Sequence, residues 1–219
     1  MLLFIIWLIH NCRRLKKNGY KSLVLKIAHS LLMLILLFGG VYGQEHLSEY
    51  DILHNGEVKG TLVLCQKTDT GRVHIKIKTE VKTRFLFEIE VKSVEEAIFE
   101  NGNLIYSALY RQVNGEEKIN QQLRLLGGSY RLISKENIIA LPEFPIHFCI
   151  LSLYCNEPVN IRRVYSDSYH QYVEIKRVDQ NKYQVTLPNG NSNYYYYKDG
   201  VCIRVEVDQF YNLVFRLKR

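Results

Sequence analysis

The chain has 219 residues, 47% of them hydrophobic and 23% charged, which suffices for one domain with a sizeable core. Its formal net charge is +7, but residues 1–43 hold six basic residues and no acidic one, and the rest holds 23 basic against 22 acidic residues. Such a near-neutral body lacks the dense basic surface that phosphate backbones require, which argues against nucleic acid as a partner.

Residues 1–43 have the pattern of a secretory signal peptide. Lys21 and Lys26 precede an apolar run at residues 31–38, which ends in a glycine-rich segment before polar Gln44. We predict cleavage between Gly43 and Gln44, which leaves residues 44–219 as one mature domain. The predicted location is therefore the periplasm or the exterior.

A retained membrane anchor is the alternative interpretation of this leader. The apolar run is interrupted by His29 and Ser30 and is shorter than the roughly 20 residues that a spanning helix needs. We therefore expect contact with the membrane only through the leader, before cleavage. The apolar patch at residues 1–9 precedes the basic cluster, a pattern typical of an over-long start assignment, so the true start residue stays open.

Two long strands are predicted between residues 72 and 100 because apolar and polar side chains alternate there with period two. One side carries Val73, Ile75, Ile77, Thr79 and Val81, and later Phe87, Ile89 and Val91. The other carries His74, Lys76, Lys78, Glu80 and Lys82, and later Glu88, Glu90 and Lys92. An antiparallel pair with one wet face follows, in which Glu88 and Glu90 neutralise the lysines across the strands.

Further strands are predicted on both sides of this pair, separated by turn sequences. They cover residues 48–54, 58–66, 104–113, 118–126, 130–134, 160–165, 171–178, 182–187, 193–198, 201–207 and 211–217. Gly60 suggests a bend or bulge, and Val201, Ile203, Val205 and Val207 alternate with polar neighbours. Five Asn-Gly or Asp-Gly turns, beginning at residues 55, 101, 114, 189 and 199, indicate a meander of hairpins.

Residues 137–158 differ from the rest, because Pro142 and Pro145 precede an apolar run with little alternation. Proline disfavours a central strand, so we predict a connection with one short helical or irregular plug at an end of the sheet. The predicted fold is all-β, a strongly curved antiparallel meander that forms a half-barrel or incomplete barrel. Whether the barrel closes stays open.

No candidate for catalysis, for a cofactor or for a metal emerges from the residue spacings. The histidines lack metal-ligand spacing, and Asp167-Ser168-Tyr169-His170 is more typical of a turn than of a triad. Adjacent Glu95-Glu96 and Glu116-Glu117 are interpreted as surface charge, since neighbours on a strand face opposite sides. An enzyme is therefore the third hypothesis.

Four cysteines remain in the predicted mature part: Cys65, Cys149, Cys155 and Cys202. Outside the cytoplasm they permit three disulfide pairings, among which the sequence does not choose. Single buried thiols are the alternative.

Many turn and packing residues resemble an uncharacterised family of secreted Bacteroidetes proteins, classified as a domain of unknown function. The matching segments are Tyr50-Asp51-Ile52, Asn55-Gly56, Gly60, Phe99-Glu100-Asn101-Gly102, Leu104, Arg111, Asn114-Gly115, Leu153-Tyr154, Glu157-Pro158, Val164-Tyr165-Ser166, Leu187-Pro188-Asn189-Gly190, Tyr195-Tyr196-Tyr197 and Gly200. The resemblance spans nearly all of residues 47–219. It implies similarity to periplasmic half-barrel β proteins and says nothing about activity.

Two functions are therefore expected for this exported protein. The first is a non-catalytic binding or carrier module for an apolar or amphipathic envelope molecule, held by a concave sheet and its plug. The second is an envelope interaction or scaffolding protein that binds a partner chain. The predicted ligand or partner contacts are Ile146, Phe148, Leu151, Leu153, Tyr154, Tyr195 and Tyr197.

Overall fold

The computed structural model of the chain describes residues 43–84, 88–141, 145–208 and 212–218. The predicted signal peptide, apart from Gly43, lies outside these residues. The described residues form fourteen strands and one short helix. The strands are β1 (Gln44–His54), β2 (Glu57–Asp69), β3 (Arg72–Arg84), β4 (Glu88–Glu100), β5 (Asn103–Val113), β6 (Glu116–Leu126), β7 (Ser129–Ser134), β8 (Ile138–Leu141), β9 (Arg163–Ser166), β10 (Gln171–Asp179), β11 (Lys182–Thr186), β12 (Ser192–Lys198), β13 (Val201–Val207) and β14 (Leu213–Leu217), and helix α1 is Ser152–Cys155.

All fourteen strands belong to one antiparallel sheet in the order β8-β7-β6-β5-β4-β3-β2-β1-β14-β13-β12-β11-β10-β9. The first and last strands of the chain pair in the middle of this order, with Tyr50 opposite Leu217. The two edges are β8 and β9, and no strand pairing within the described residues joins them. The predicted all-β antiparallel meander is confirmed, and within the described residues the sheet does not close into a barrel.

The hairpin turns follow from their Asn-Gly and Asp-Gly sequences. Asn55 and Gly56 have φ angles of 52° and 82°, and the same pair of positive angles recurs at Asn101-Gly102, Asn114-Gly115 and Asp199-Gly200. Positive φ at both central residues defines the turn whose twist matches paired strands. At Asn189-Gly190 only the glycine has positive φ, so this fifth turn is a different connection.

A bulge bends the first hairpin at the predicted glycine. Ile52 pairs with Gly60, whereas Leu53 pairs with Val58, so the register shifts by one residue there. The Gly60 backbone also lies against β3, and a Cβ at this position would lie 2.1 Å from the Glu80 carbonyl oxygen. The predicted bend or bulge is confirmed, and the close approach requires glycine.

In the central pair of strands, one face lies on the core and the other faces solvent, as the alternation predicts. Ile75, Ile77 and Val81 of β3 are buried, and the charged side chains lie on the outer face. Across the strands, Lys82 Nζ lies 3.0 Å from Glu90 Oε1, and Lys76 pairs with Glu96. The expected neutralisation is present at Lys82 through the predicted Glu90 and at Lys76 through Glu96, whereas the predicted Glu88 stands opposite Arg84 and not opposite a lysine.

The predicted single alternation in β13 is wrong. Tyr196 pairs with Arg204 but Tyr197 pairs with Cys202, so Ile203 is an extra residue in the strand. This bulge reverses the phase of the side chains. As a result Val201 and Ile203 are exposed, whereas Cys202 and Val205 are fully buried.

Residues 137–158 contain one strand that the prolines obscured. Ile138–Leu141 forms β8, which pairs with β7 alone at the edge of the sheet. An edge strand uses the backbone groups of only one side, so a proline directly after it is tolerated. The interpretation of these four residues as part of an irregular connection was therefore wrong. The predicted short helical plug is confirmed as α1.

Backbone and tyrosine hydrogen bonds hold the plug, defined here as residues 145–155, inside one end of the sheet. The Leu104 amide donates to the Ile146 carbonyl at 2.8 Å, and the Ile150 amide donates to Tyr165 at 3.0 Å. The Tyr197 hydroxyl donates to the Leu153 carbonyl at 2.6 Å. These bonds satisfy buried polar groups of an otherwise irregular segment. Among the described residues, no helix is long and apolar enough to cross a membrane.

Candidate functional site

A cavity of about 660 Å³ lies inside the sheet, on the side of the plug that faces the β1–β2 and β5–β6 turns. This volume is within the range of about 300–1,000 Å³ that is typical of small-molecule sites. Inward-facing strand positions form most of its wall, and most of the lining side chains are apolar. Examples are Leu62, Ile77, Val91, Val113, Leu213 and Phe215.

The exposure of the wall residues shows the direction in which the cavity opens. Leu62 and Ile77, which lie nearer the plug, are 3% and 4% exposed. Ile89 and Val113, next to the strand ends, are only half-buried. The cavity therefore has a closed end formed by the plug and an open end at the β5–β6 turn.

Three of the seven predicted contact residues line this cavity. Leu151 and Tyr154 of the plug form its floor, and Tyr195 of β12 forms part of its side. The Tyr154 ring packs edge-on against Tyr50 and Tyr195, with ring centroids 5.7 and 6.0 Å apart. Such pairs fix the floor by packing as well as by burial.

The other predicted contacts lie elsewhere in the domain. Ile146 and Leu153 are fully buried in the core, Phe148 is half-buried beside it, and Tyr197 is buried with its hydroxyl on the plug. At the predicted cleavage site, Gly43 is exposed and Gln44 begins β1. Cleavage there stays a prediction.

Two charged side chains, Glu95 and Arg111, lie on the cavity wall. They come from the adjacent strands β4 and β5, and Arg111 Nη2 lies 3.8 Å from Glu95 Oε1. The Glu95 side chain is 25% exposed, but that surface faces the cavity, and burial raises the pKa of its carboxyl while Arg111 opposes the rise. The interpretation of Glu95 as surface charge was wrong, because Glu95 lies on the inner face of β4. Its neighbour Glu96 lies on the outer face, as predicted.

The turn between β9 and β10 brings a third charged group into the interior. Asp167 accepts a hydrogen bond from the Ser107 hydroxyl, and its carbonyl accepts one from Gln121 Nε2 at 2.8 Å. Its Oδ2 atom is buried and has no partner among the described residues. Burial raises the pKa of Asp167 to about 7; the Ser107 hydrogen bond opposes this rise and nearby Glu95 adds to it.

Within the described residues, Asp167 makes no hydrogen bond to His170. Residues 167–170 form a turn, as predicted, and Asp167 contacts Ser107 rather than a histidine. Burial lowers the pKa of nearby His170, whose Nδ1 atom has no partner among the described residues. Across all the described residues, no group of three or more His, Cys, Asp or Glu side chains could hold a metal ion. What the site offers is an apolar chamber with one polar wall.

The four described cysteines are free thiols, so the structure contains none of the possible disulfides among them. Cys149 and Cys202 are fully buried, and Cys155 is partly buried. Burial raises the pKa of each of these three thiols to about 12. They are packing residues with little thiolate at neutral pH.

The polar wall has a signal in the sequence, which is the alternation along β4 and β5. Ser93 and Glu95 stand in phase with the inward positions Ile89, Val91 and Ala97, so the alternation itself places a carboxylate inside. Arg111 is likewise in phase with buried Leu109. Asp167 had no such signal, because it lies in a turn.

Comparisons with known proteins agree with the fold. The model of a family described as a domain of unknown function (DUF6134) matches residues 50–218. The chain is also similar to the crystal structure of a beta-barrel-like protein of the domain of unknown function DUF1849 from Brucella abortus. That likeness has a TM-score of 0.50 and 10% sequence identity, and it covers 80% of this chain and 96% of the other. No curated protein matches the sequence. The predicted membership of an uncharacterised domain family is confirmed.

Proposed function

We propose that this chain, which belongs to the DUF6134 family of domains of unknown function, is a non-catalytic binding or carrier protein for an apolar or amphipathic envelope molecule. The observation that carries the proposal is the cavity of about 660 Å³, open at one end and lined mostly by apolar side chains. Apolar surface that a folded protein keeps in contact with water is most readily explained by a ligand that covers it.

Export is part of the same proposal. Export is supported by the signal-peptide pattern of residues 1–43 and by the resemblance to secreted Bacteroidetes proteins. We propose a Bacteroidetes origin for the chain together with its export. The test is the mass of the protein isolated from the envelope of its own cells. A mature protein that begins at Gln44 supports export, whereas a cytoplasmic protein that retains the leader refutes it.

Blocking the cavity tests the binding function directly. Val91 lines the cavity, so Val91→Trp should fill part of it and weaken binding of a neutral fluorescent probe, N-phenyl-1-naphthylamine, by about tenfold or more. Val94→Trp adds the same side chain to the outer face of the same strand and should leave binding unchanged. The thermal unfolding of both variants shows that they are folded.

Binding is excluded if the wild-type protein fails to take up the probe and carries no lipid when isolated from the envelope. Equal probe binding by folded Val91→Trp and Val94→Trp would also contradict the proposal, because the probe would then bind somewhere else. Mass spectrometry of an organic extract of the native protein would identify the natural ligand.

A second candidate is an envelope scaffolding protein, and the β8 edge is the observation that favours it. Ile138 and Ile139 of this edge strand are 67% and 50% exposed, which suits pairing with a strand of another envelope protein. The outward tyrosines are less suited, because Lys182 lies 4.8 Å from the rings of both Tyr194 and Tyr196 and covers them. Loss of an envelope cross-link in Ile139→Lys would favour this candidate.

A further inference from the structure

We propose that Arg111 is the head-group anchor of the cavity and that the ligand is an amphipathic anion: a carboxylate or phosphate on a single apolar tail. This inference rests on the proposed binding function and adds the chemical class of the ligand. It follows from where the Arg111 guanidinium lies, from the contacts it makes, and from the side chains that surround it.

Arg111 faces inward because side chains two residues apart on a strand lie on the same face of the sheet. Leu109, two residues before it, is buried, and Val113, two residues after it, lines the cavity. On the neighbouring strands its register partners are Ser93 and Ile119, which also line the cavity. The guanidinium therefore belongs to the cavity wall and not to the outer surface of the sheet.

The hydrogen-bonding capacity of this guanidinium is almost unused. Its ion pair with Glu95 spans 3.8 Å, which is longer than a hydrogen bond. Within the described part of the chain, no side chain or carbonyl accepts a hydrogen bond from it. Five N–H donors in a planar fork suit a bidentate carboxylate or phosphate. The cavity is the place from which such an acceptor can arrive.

Glu95 does not neutralise Arg111 effectively. It stands on the same wall with its Oε1 atom 3.8 Å from Arg111 Nη2, which is beyond hydrogen-bond distance, and burial raises the pKa of its carboxyl while Arg111 opposes the rise. An arginine stays protonated even where a carboxyl does not. An incoming oxyanion with bidentate geometry therefore competes well with Glu95 for Arg111.

The rest of the lining suits an apolar tail. Arg111 stands two residues before Val113 on β5, near the open end, whereas Leu62, Ile77 and Leu151 continue the wall toward the closed end. An amphipathic molecule that entered tail first would place its head group beside Arg111. Ser166 and Ser168, which also line the cavity, add hydroxyl groups to the polar part of the wall.

The test compares four ligands that share one twelve-carbon tail and differ in their head groups. Dodecanoate and dodecyl phosphate are anionic, dodecanol is neutral and dodecylamine is cationic at neutral pH. Each displaces N-phenyl-1-naphthylamine from the purified full chain, below the micelle concentration. We expect both anions to bind more tightly than dodecanol by about tenfold or more, the effect of one charge-assisted pair. Dodecylamine should bind most weakly.

Three variants identify the residue responsible. Arg111→Met should remove the preference for the anions and leave the affinity for dodecanol within about twofold. Glu95→Gln, which removes the competing carboxylate, should strengthen binding of the anions. Arg131→Met makes the same charge change at an exposed position on the outer face of β7 and should have no effect.

The outcomes separate this inference from the proposed function. If the probe and dodecanol bind but the anions show no advantage, or if Arg111→Met keeps that advantage, the head-group assignment is wrong while the cavity remains a binding site. A preference for dodecylamine that Glu95→Gln abolishes would also overturn it, in favour of a cationic ligand. If neither the probe nor any of the four ligands binds, the proposed function itself fails.

Discussion

The buried carboxyl of Asp167 should make this protein less stable as the pH rises from about 5 to about 8. Its pKa is raised from 3.8 to about 7 in the folded protein, so between these values the native state binds more protons than the unfolded state. Stability then falls with rising pH until the pH passes the folded pKa. At 1.36 kcal/mol per pKa unit, the loss over this interval is about 2–3 kcal/mol.

That loss is large enough to measure, since a domain of this kind has a total stability of about 5–15 kcal/mol. Asp167→Asn removes the titration and keeps an oxygen that can accept the Ser107 hydrogen bond. The new amide nitrogen takes the place of the buried Oδ2 atom, which has no partner among the described residues. Burying this amide nitrogen costs stability, but that cost does not depend on pH. The variant should therefore show a flatter pH dependence, whatever its stability at one pH.

The assay is urea unfolding of both proteins across this pH interval, with the difference between them taken at each pH. His170 and the other titrating groups are common to both proteins and largely cancel. Asp199→Asn, the same change in an exposed turn where Asn stands in three other hairpins, is the control and should follow the wild type. Equal slopes for Asp167→Asn and the wild type would refute the argument that burial of this carboxyl controls its charge.

Two further predictions concern packing. Among the described cysteines, only Cys65 has a half-exposed thiol on the outer face of the sheet. In the native protein we expect Cys65 to react with a thiol reagent, whereas the three interior thiols should react only after unfolding. Rapid modification of all four would contradict the burial of those three. Gly60→Ala should lower the free energy of unfolding by about 1–3 kcal/mol, because the new Cβ would meet the Glu80 carbonyl oxygen at 2.1 Å; an unchanged denaturation midpoint would show that β3 can move away.

The sheet was predictable because its signals are local. Alternation over β3 and β4 fixes which face is buried, and Asn-Gly turns such as Asn55-Gly56 fix where the chain reverses. The predictions failed where a local pattern is interrupted by the geometry of a neighbouring strand. The bulge at Ile203 is such a case, because nothing within β13 itself marks the extra residue. The edge strand β8 was missed for a different reason, since its short length and the proline that follows it suppress the usual signals.

The site was only partly predictable because it depends on contacts between distant segments. Leu151, Tyr154 and Tyr195 were identified from apolar and aromatic character alone. That character does not separate a residue that faces a cavity from one that fills the core, as Ile146 and Tyr197 do. Asp167 meets Ser107 across 60 positions of sequence, and no periodicity encodes such a contact.

The cavity itself has a cause in the sizes of the inward-facing side chains. Toward the plug, β4 presents Phe99, and Tyr130 and Ile146 fill the remaining space. Toward the open end, Ile89 is a larger residue, but the other inward positions of β3 and β4 carry smaller or polar side chains: Thr79, Val81, Thr83, Val91 and Ser93.

An incomplete barrel of fourteen strands encloses more volume than these small side chains can fill, so a chamber remains where they cluster. Larger residues at the same positions would convert this chamber into core and would gain the hydrophobic stability that such filling provides. The chain keeps instead a gradient of side-chain size along its strands and an arginine on the unfilled wall. That combination agrees with the proposed binding function.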